Sequence, residues 1–254
     1  MASRPKTTPA LAPRRRPPAE AARPPLSETA RLPLDARPER ATLGAAASTP
    51  PARSRHLDNG LPVVVCPLRH LHTATVAVVF GVGSRHESAR TQGLSHLLEH
   101  MLHRGTPRYP SSHALNRAIE ALGGDLHAGT SADVTTYTVG LPPTSVAPVL
   151  EILADVFVTP RLGELALEKR IVHEEILEGL DGEGQCVDPD DLSRRLLFGD
   201  HPLGRSILGT VGSLEAFGEE DLRAHLARHY RAGNAVLAIA GPLAPEAVWA
   251  AAAP

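Results

Sequence analysis

The amino-acid sequence predicts an α+β domain in which a largely antiparallel β-sheet is covered on one face by helices. Segments with strand-like and helix-like patterns occur in pairs along the chain rather than in single alternation, which favours an antiparallel over a parallel sheet. The chain has 254 residues, and the roughly 200 that follow a proline-rich leader suffice for one well-buried domain. The two cysteines, Cys66 and Cys186, lack metal-type spacing, which excludes a zinc site built on cysteines and favours reduced thiols.

The leader, residues 1–55, is rich in Pro, Ala and Arg and has no periodic apolar positions, so we predict that it is disordered. Its prolines and acidic residues are unlike those of an organelle transit peptide. No apolar run is long enough for a signal peptide or a membrane span, so we expect a cytoplasmic protein with no membrane partner. The formal net charge of −2 and the scarcity of aromatic residues in the leader argue against a nucleic-acid partner.

The elements after the leader follow from local patterns. Runs rich in β-branched residues predict strands at 61–66, 74–82, 125–130, 134–141 and 235–240. Helical patterns predict helices at about 91–103, 112–122, 145–157, 162–180, 192–198 and 219–230. Gly105 and Pro107 end the first helix, Ser111 or Ser112 caps the second, and Gly123 ends it. Residues 244–254 form either a truncated helix or a tail.

The first helix carries the most informative motif. His96 and His100 are four residues apart, so both project from one face of a helix, with Glu99 beside them. Two imidazoles at this spacing can occupy two positions of a tetrahedral zinc and leave room for a third ligand and a water. Glu99 could then accept a proton from that water. The alternative is that these side chains form an ordinary solvated helix face.

The helix at 162–180 offers a third ligand. Glu168 and Glu175 are seven residues apart and share a stripe with Ile171 and Val172, whereas Glu174 points towards solvent. A carboxylate on an apolar stripe needs a metal or strong hydrogen bonds to offset the cost of burial. The alternative is a charged helix whose stripe is partly exposed.

These residues resemble a known family. The sequence HLLEH at 96–100, followed by Met101 and by a glutamate 75 positions after His100, is similar to the inverted motif of the pitrilysin/insulinase zinc metallopeptidases. That family includes mitochondrial processing peptidase. Further similar segments lie at 57–61, 83–87, 121–124, 201–204, 207–210, 229–234 and 240–241, so the resemblance spans about residues 55–243.

The resemblance implies a zinc metallopeptidase domain at residues 56–243 with the fold of the LuxS and processing-peptidase metalloenzymes. It also implies that His96, His100 and Glu175 bind zinc, that Glu99 is the general base, and that Glu168 is a supporting acid. In the family, two similar domains close around the zinc, so we expect a second homologous half as partner. A separate chain, a second copy of this chain or a longer form of it could supply that half.

Two positions depart from the family pattern. His127 stands where the family usually has asparagine, at a position that the resemblance links to holding the substrate backbone. We therefore take His127, Ala128 and Thr130, on the strand at 125–130, as candidate substrate-binding residues. His103 stands where the family usually has an aromatic residue, and it is either a fourth ligand or, as we favour, a polar lining residue.

The sequence therefore predicts a zinc-dependent endopeptidase, a hydrolase, in which water attacks the peptide bond with help from Glu99. The expected substrate is a short or unfolded peptide that adds as a strand to a sheet edge, and we take the strand at 125–130 as that edge. The main alternative is a non-catalytic or partner-dependent subunit that binds peptide within a heteromeric peptidase.

Overall fold

The computed structural model describes residues 51–253. Its strands are β1 (Arg53–His56), β2 (Pro62–Pro67), β3 (Ala74–Phe80), β4 (Asp125–Thr130), β5 (Thr135–Leu141) and β6 (Ala235–Gly241). Its helices are α1 (Leu94–Leu102), α2 (Ser112–Glu120), α3 (Val146–Val158), α4 (Leu165–Glu178), α5 (Pro189–Phe198), α6 (Val211–Ala216), α7 (Glu219–His229) and α8 (Pro245–Ala252). None of these helices is long and apolar enough to cross a membrane.

The six strands form one sheet in the order β1-β2-β6-β3-β5-β4. Neighbouring strands are antiparallel except for β2 and β6, which run parallel with Val65 opposite Ile239. Strand β6 therefore separates β2 from β3, although β2 and β3 follow each other along the chain. Strand β4 forms one edge of the sheet, with His127 opposite Thr138 of β5.

One face of the sheet carries the hydrophobic core. Val76 and Val78 of β3, Tyr137 of β5 and Ile239 of β6 are buried on that face because side chains alternate along a strand. Helices α1, α2 and α8 pack near the sheet, and α3 packs against α8. On the opposite face Thr75 is exposed and Val236 is only partly covered. The predicted α+β class, with a largely antiparallel sheet and helices on one face, is confirmed.

Helix α1 crosses this core close to the β4 edge. Its inward side buries Leu97, Leu98, Met101 and Leu102 completely. The amphipathic pattern leaves His96 and His100 on the side that meets α4. The core therefore fixes α1 in place, and the histidines lie where α1, α4 and the sheet edge converge.

Several boundaries differ from the sequence-based expectation. Most of the predicted disordered leader lies outside the described residues, but its final part contributes strand β1, which begins at Arg53. Helix α1 begins at Leu94 rather than at Thr91, because Thr91 belongs to a turn closed by hydrogen bonds with Ser88 and because Gly93 takes a left-handed conformation. Helix α6 is additional. Helix α8 lies in the segment 244–254, for which the sequence left a truncated helix or a tail open.

Candidate metal centre

Three side chains predicted as ligands converge between α1 and α4. Oε2 of Glu175 lies 3.7 Å from Nε2 of His96 and 3.6 Å from Nε2 of His100. One ligand atom from each residue lies within 4.8 Å of the other two. Among the described residues this is the only such group of three or more histidine, cysteine or acidic side chains.

The geometry and protonation of this group fit zinc. Ligand atoms on a tetrahedral zinc, with bonds of about 2.0–2.1 Å, stand about 3.4 Å apart, close to the separations of the Glu175 oxygen from both imidazoles. Burial lowers the pKa of His96 to about 4, with a smaller contribution from His100, so this imidazole is neutral at pH 7. Neutral imidazole is the form that binds a metal. Two imidazoles and one carboxylate are also a donor set typical of catalytic zinc.

Glu168 holds the His100 ring through the nitrogen that does not face Glu175. Nδ1 of this ring lies 3.1 Å from Oε2 of Glu168, so the nitrogen that faces away from Glu175 is hydrogen-bonded to a carboxylate. Such a carboxylate fixes the ring orientation of a metal-binding histidine and raises its basicity. Nδ1 of His96 is buried and has no hydrogen-bond partner among the described residues. The two histidines are therefore anchored unequally.

Glu168 is itself held by a cation. Only 4 % of the residue is exposed, and its carboxylate forms an ion pair with Arg104, which lies just beyond α1. Arg104 also lies 3.4 Å from Oε2 of Glu164, the residue that precedes α4. Glu174, which the sequence pattern placed towards solvent, is exposed and contacts His173.

Glu99 lies beside the ligands and contacts the sheet edge. The Thr130 hydroxyl donates a 2.6 Å hydrogen bond to Oε2 of Glu99. Burial raises the pKa of the Glu99 carboxyl, whereas the hydrogen bond from Thr130 and the nearby His100 act in the opposite direction. The carboxyl is therefore less acidic than in water, which suits a group that accepts a proton near neutral pH.

The start of α1 is held by Glu87, a third buried carboxylate. Gly93, the residue before the helix, has no side chain to cap it. Oxygens of Glu87 instead accept hydrogen bonds from the backbone N–H groups of Gly93 and Ser95, at 2.8 and 2.7 Å. Arg205 donates to the backbone carbonyl of Glu87 at 2.8 Å. These contacts satisfy backbone donors that a helix start leaves unpaired.

A cavity of about 1330 Å³ adjoins His96 and Glu175, two of the three candidate ligands. Glu99 and, from β4, Ala128 and Thr130 also line it. Further lining residues come from α5 and from the segment 204–211. Since this space adjoins both the candidate metal centre and the sheet edge, a peptide could lie in it alongside β4.

The remaining predicted residues lie at different distances from this centre. Ala128 and Thr130 border the cavity, whereas the His127 side chain is exposed, lies 3.2 Å from Oδ2 of Asp125 and does not line it. His103 stacks near Tyr137 and lines a second cavity of about 310 Å³ behind Glu99, so its position fits a lining residue and not a ligand. Ile171, placed on the buried stripe by the sequence, is 38 % exposed.

Sequence reasoning missed Arg104, Glu87 and the contact of the Thr130 side chain with Glu99. Arg104 is a single charged residue outside the motifs, and Glu87 ends the family-like segment 83–87, where the sequence assigns it no role. The contacts of Arg104 and Thr130 become visible only once α1, α4 and β4 are packed together. The contact of Glu87 with the start of α1 depends on the turn between them.

Comparison with known proteins agrees with this arrangement. Residues 63–211 match the family model described as insulinase (peptidase family M16). The chain is 36 % identical over 203 residues to a probable mitochondrial-processing peptidase subunit beta of Arabidopsis thaliana, which covers 79 % of this chain and 38 % of that protein. It is 34 % identical over 206 residues to an uncharacterised zinc protease of Mycobacterium tuberculosis, with coverages of 80 % and 46 %. The chain thus spans less than half the length of these relatives.

Solved structures show the same fold. A protease from Helicobacter pylori superposes with a TM-score of 0.74 at 25 % identity, covering 80 % of this chain and 49 % of the other. The first half of the periplasmic protease PqqL from Escherichia coli gives a TM-score of 0.70 at 23 % identity, with coverages of 79 % and 44 %. A peptidase M16 inactive domain from Pseudomonas fluorescens gives 0.71 at 23 % identity, with coverages of 80 % and 49 %. The described fold corresponds to about half of each of these chains.

Proposed function

Because the chain belongs to the insulinase family of peptidases (peptidase family M16), we propose that it is a zinc-dependent endopeptidase or the zinc-binding half of one. The observation that carries this proposal is the convergence of His96, His100 and Glu175 within 4.8 Å, with Glu99 beside them. We assign residues 56–243 to the peptidase domain. The zinc proteases among its relatives support the choice of metal.

In the proposed centre His96, His100 and Glu175 hold the metal. Zinc, when bound, supplies a Lewis acid that activates water and polarises the scissile carbonyl. Oε2 of Glu99 accepts the Thr130 hydroxyl, so we assign Oε1 to accept the proton of the attacking water. Glu99 then delivers this proton to the leaving amine. Glu168 keeps the His100 ring in its binding orientation through Nδ1.

We propose that the substrate is a short or unfolded peptide that adds to β4 as a further strand. Strand β4 is a sheet edge that borders the large cavity, and Thr130 of this strand contacts the proposed base. A peptide aligned with β4 would therefore run past Glu99. His127 stays a candidate for contact with such a peptide through its position on the strand, although its side chain does not line the cavity.

We further propose that the active assembly contains a second homologous half. The relatives are more than twice as long as the aligned segment, and the first half of PqqL has the same fold. A second half would supply further contacts to the peptide.

Zinc content measured by elemental analysis of the purified chain tests the metal centre. We expect about one zinc per wild-type chain and little in Glu175→Ala or His100→Ala, because each loses a ligand. Glu174→Ala is a matched control on the same helix, since Glu174 is exposed and outside the ligand group. Wild-type protein without zinc in metal-replete buffer would contradict the proposal.

Hydrolysis of a mixture of internally quenched peptides tests the reaction. Cleavage should disappear with a chelator and with Glu99→Gln, which keeps the side-chain size but removes the base. The assay is run on the chain alone and with an added second half from a longer family member. Zinc binding without cleavage in either arm would instead support the alternative, a non-catalytic peptide-binding subunit.

A further inference from the structure

Arg104 lies two residues beyond the last residue of α1 and one helical turn after His100. Only 17 % of its side chain is exposed. Its guanidinium forms an ion pair with Glu168 and a second, longer contact of 3.4 Å with Glu164. Both glutamates belong to the start of α4, so one side chain joins the end of α1 to the beginning of α4.

The Glu168 carboxylate contacts two side chains, one from α1 and one from just beyond it. Oε2 of Glu168 is hydrogen-bonded to Nδ1 of His100, and the carboxylate also forms an ion pair with Arg104. A buried carboxylate needs a cation or hydrogen bonds to offset its loss of hydration, and Arg104 and His100 together supply them to Glu168.

Glu164 shows that this end of α4 is held under constraint. Its φ of 60° is the only positive value among the non-glycine residues of the described chain. The left-handed conformation is unfavourable for a residue with a Cβ, and it persists only where the surroundings fix it. The Glu164 side chain is 66 % exposed but still reaches Arg104.

We propose that Arg104 is a positioning residue of the metal centre, which clamps α4 to α1 through Glu164 and Glu168 and thereby raises zinc affinity. The inference rests on the proposed metal centre. Glu175 lies two helical turns after Glu168 on the same side of α4, so fixing the first turn also fixes the Glu175 carboxylate against the histidines. Because Nδ1 of His96 has no partner among the described residues, the anchoring of the ligand pair depends on the His100 side.

Zinc affinity of the metal-stripped full chain, measured by competition with a chromophoric chelator, tests the clamp. Arg104→Gln should weaken zinc binding about tenfold, the low end of the effect of losing an outer-shell partner. Arg104→Lys keeps the charge but not the two-armed geometry, so its affinity should lie between those of wild type and Arg104→Gln. Arg108→Gln is the control, because Arg108 is exposed and pairs only with exposed or half-buried acids of α3. It should stay within about twofold of wild type.

A second variant separates positioning from folding. Glu164→Gly removes one arm of the clamp and also relieves the left-handed strain, so the thermal midpoint of the metal-free chain should stay or rise while zinc affinity falls about threefold or more. A residue with a merely structural role would change both quantities in the same direction. This variant keeps the inference testable even if Arg104→Gln does not fold.

The outcomes distinguish the clamp from the proposed function. A wild-type chain that binds no zinc refutes the metal centre and the clamp with it. Zinc binding by wild type with unchanged affinity in a folded Arg104→Gln, or in Glu164→Gly, overturns the clamp alone. An equal loss in Arg108→Gln would also overturn it, since that loss would reflect net charge and not position.

Discussion

At the residue scale the proposed base depends on the strand beside it. The Thr130 hydroxyl donates to Oε2 of Glu99 at 2.6 Å, and a hydrogen bond to an ionised group contributes about 1.5–3 kcal/mol. Thr130 also lies on the edge strand where we place the peptide. One residue therefore connects substrate alignment with the orientation of the base.

Thr130→Val removes this hydroxyl while keeping the shape of the side chain. In the assembly that cleaves peptide we expect kcat to fall at least tenfold with little change in KM, because the lost contact orients the base and does not bind substrate. Thr130→Ser should recover most of the activity. An unchanged kcat in Thr130→Val together with a loss in Thr130→Ser, both measured on one peptide, would show that the methyl group and not the hydroxyl matters.

A buried histidine makes the stability of the chain depend on pH. His225 of α7 hydrogen-bonds through Nε2 with the Ser95 hydroxyl at 3.1 Å. Burial lowers the pKa of His225 to about 3, with smaller contributions from His229 and Arg228. The folded chain thus keeps this imidazole neutral, whereas the unfolded chain protonates it at its ordinary pKa of about 6.5.

The direction of the pH dependence of stability follows from this difference between the folded and the unfolded pKa of His225. Below about pH 6.5 the unfolded state binds a proton that the folded state does not, so the free energy of unfolding falls by up to about 1.4 kcal/mol per pH unit for this group. His225→Phe should reduce that slope between pH 6.5 and 4.5 in urea unfolding of metal-free protein. His70→Phe, at an exposed position, should leave the slope unchanged. An identical slope in His225→Phe and wild type would contradict the assignment.

The sequence predicted much of the candidate site at this scale, since His96, Glu99, His100, Glu168 and Glu175 all meet between α1 and α4. Helical spacing placed each group on one face of its own helix, and the resemblance joined the two helices. The sequence did not reveal the role of Arg104 or the contact of Thr130 with Glu99, because the partner of each lies on a different element. Tertiary packing alone creates those contacts.

At the element scale the start of α1 is a close crossing of two backbones. Gly93 has a φ of 90°, and a Cβ there would lie 2.4 Å from the carbonyl oxygen of Leu208. Gly209 faces it with a φ of 84°, and its Cβ would lie 2.4 Å from the carbonyl oxygen of Gln92. The cavity-lining segment 204–211 therefore touches helix α1 directly, and neither glycine has room for a side chain.

Gly93→Ala should destabilise the chain by about 2 kcal/mol or more, since it adds left-handed strain to a steric clash with backbone atoms. Gly212→Ala is a matched control in α6, because that glycine is exposed and no atom lies within 4 Å of the added carbon. There alanine should stabilise the chain by about 0.5–1 kcal/mol. Urea unfolding of both variants measures the two effects, and a stable Gly93→Ala would contradict the crossing.

Some element boundaries could not be predicted because contacts with distant parts of the chain determine them. Helical periodicity extends through Gln92, yet α1 begins only after Gly93, where contact with Leu208 fixes the left-handed turn. Strand β1 contains two arginines, a serine and a histidine, all exposed, so its pattern resembles a polar loop. Backbone pairing with β2 creates that strand.

At the scale of the whole molecule, the class of fold followed from pairs of strands and helices, but the order of strands did not. The period of apolar residues along a strand indicates which face is buried, but it does not indicate which strand lies next to it. The parallel pairing of β2 with β6, about 170 residues later, therefore could not be predicted from the sequence. The same limit applies to the contacts of the second half that we propose.

The place of β6 also has a consequence for how the chain acquires its structure during synthesis. Strands β1 and β2 attach to the rest of the sheet only through β6, because β6 fills the gap between β2 and β3. A nascent chain can assemble β3, β5 and β4 early, but its first two strands have no place in the sheet until Gly241 has left the ribosome. Pairings across such sequence distances form slowly and expose unpaired edges meanwhile. Helix α1 is thus synthesised well before the sheet on which it packs is complete.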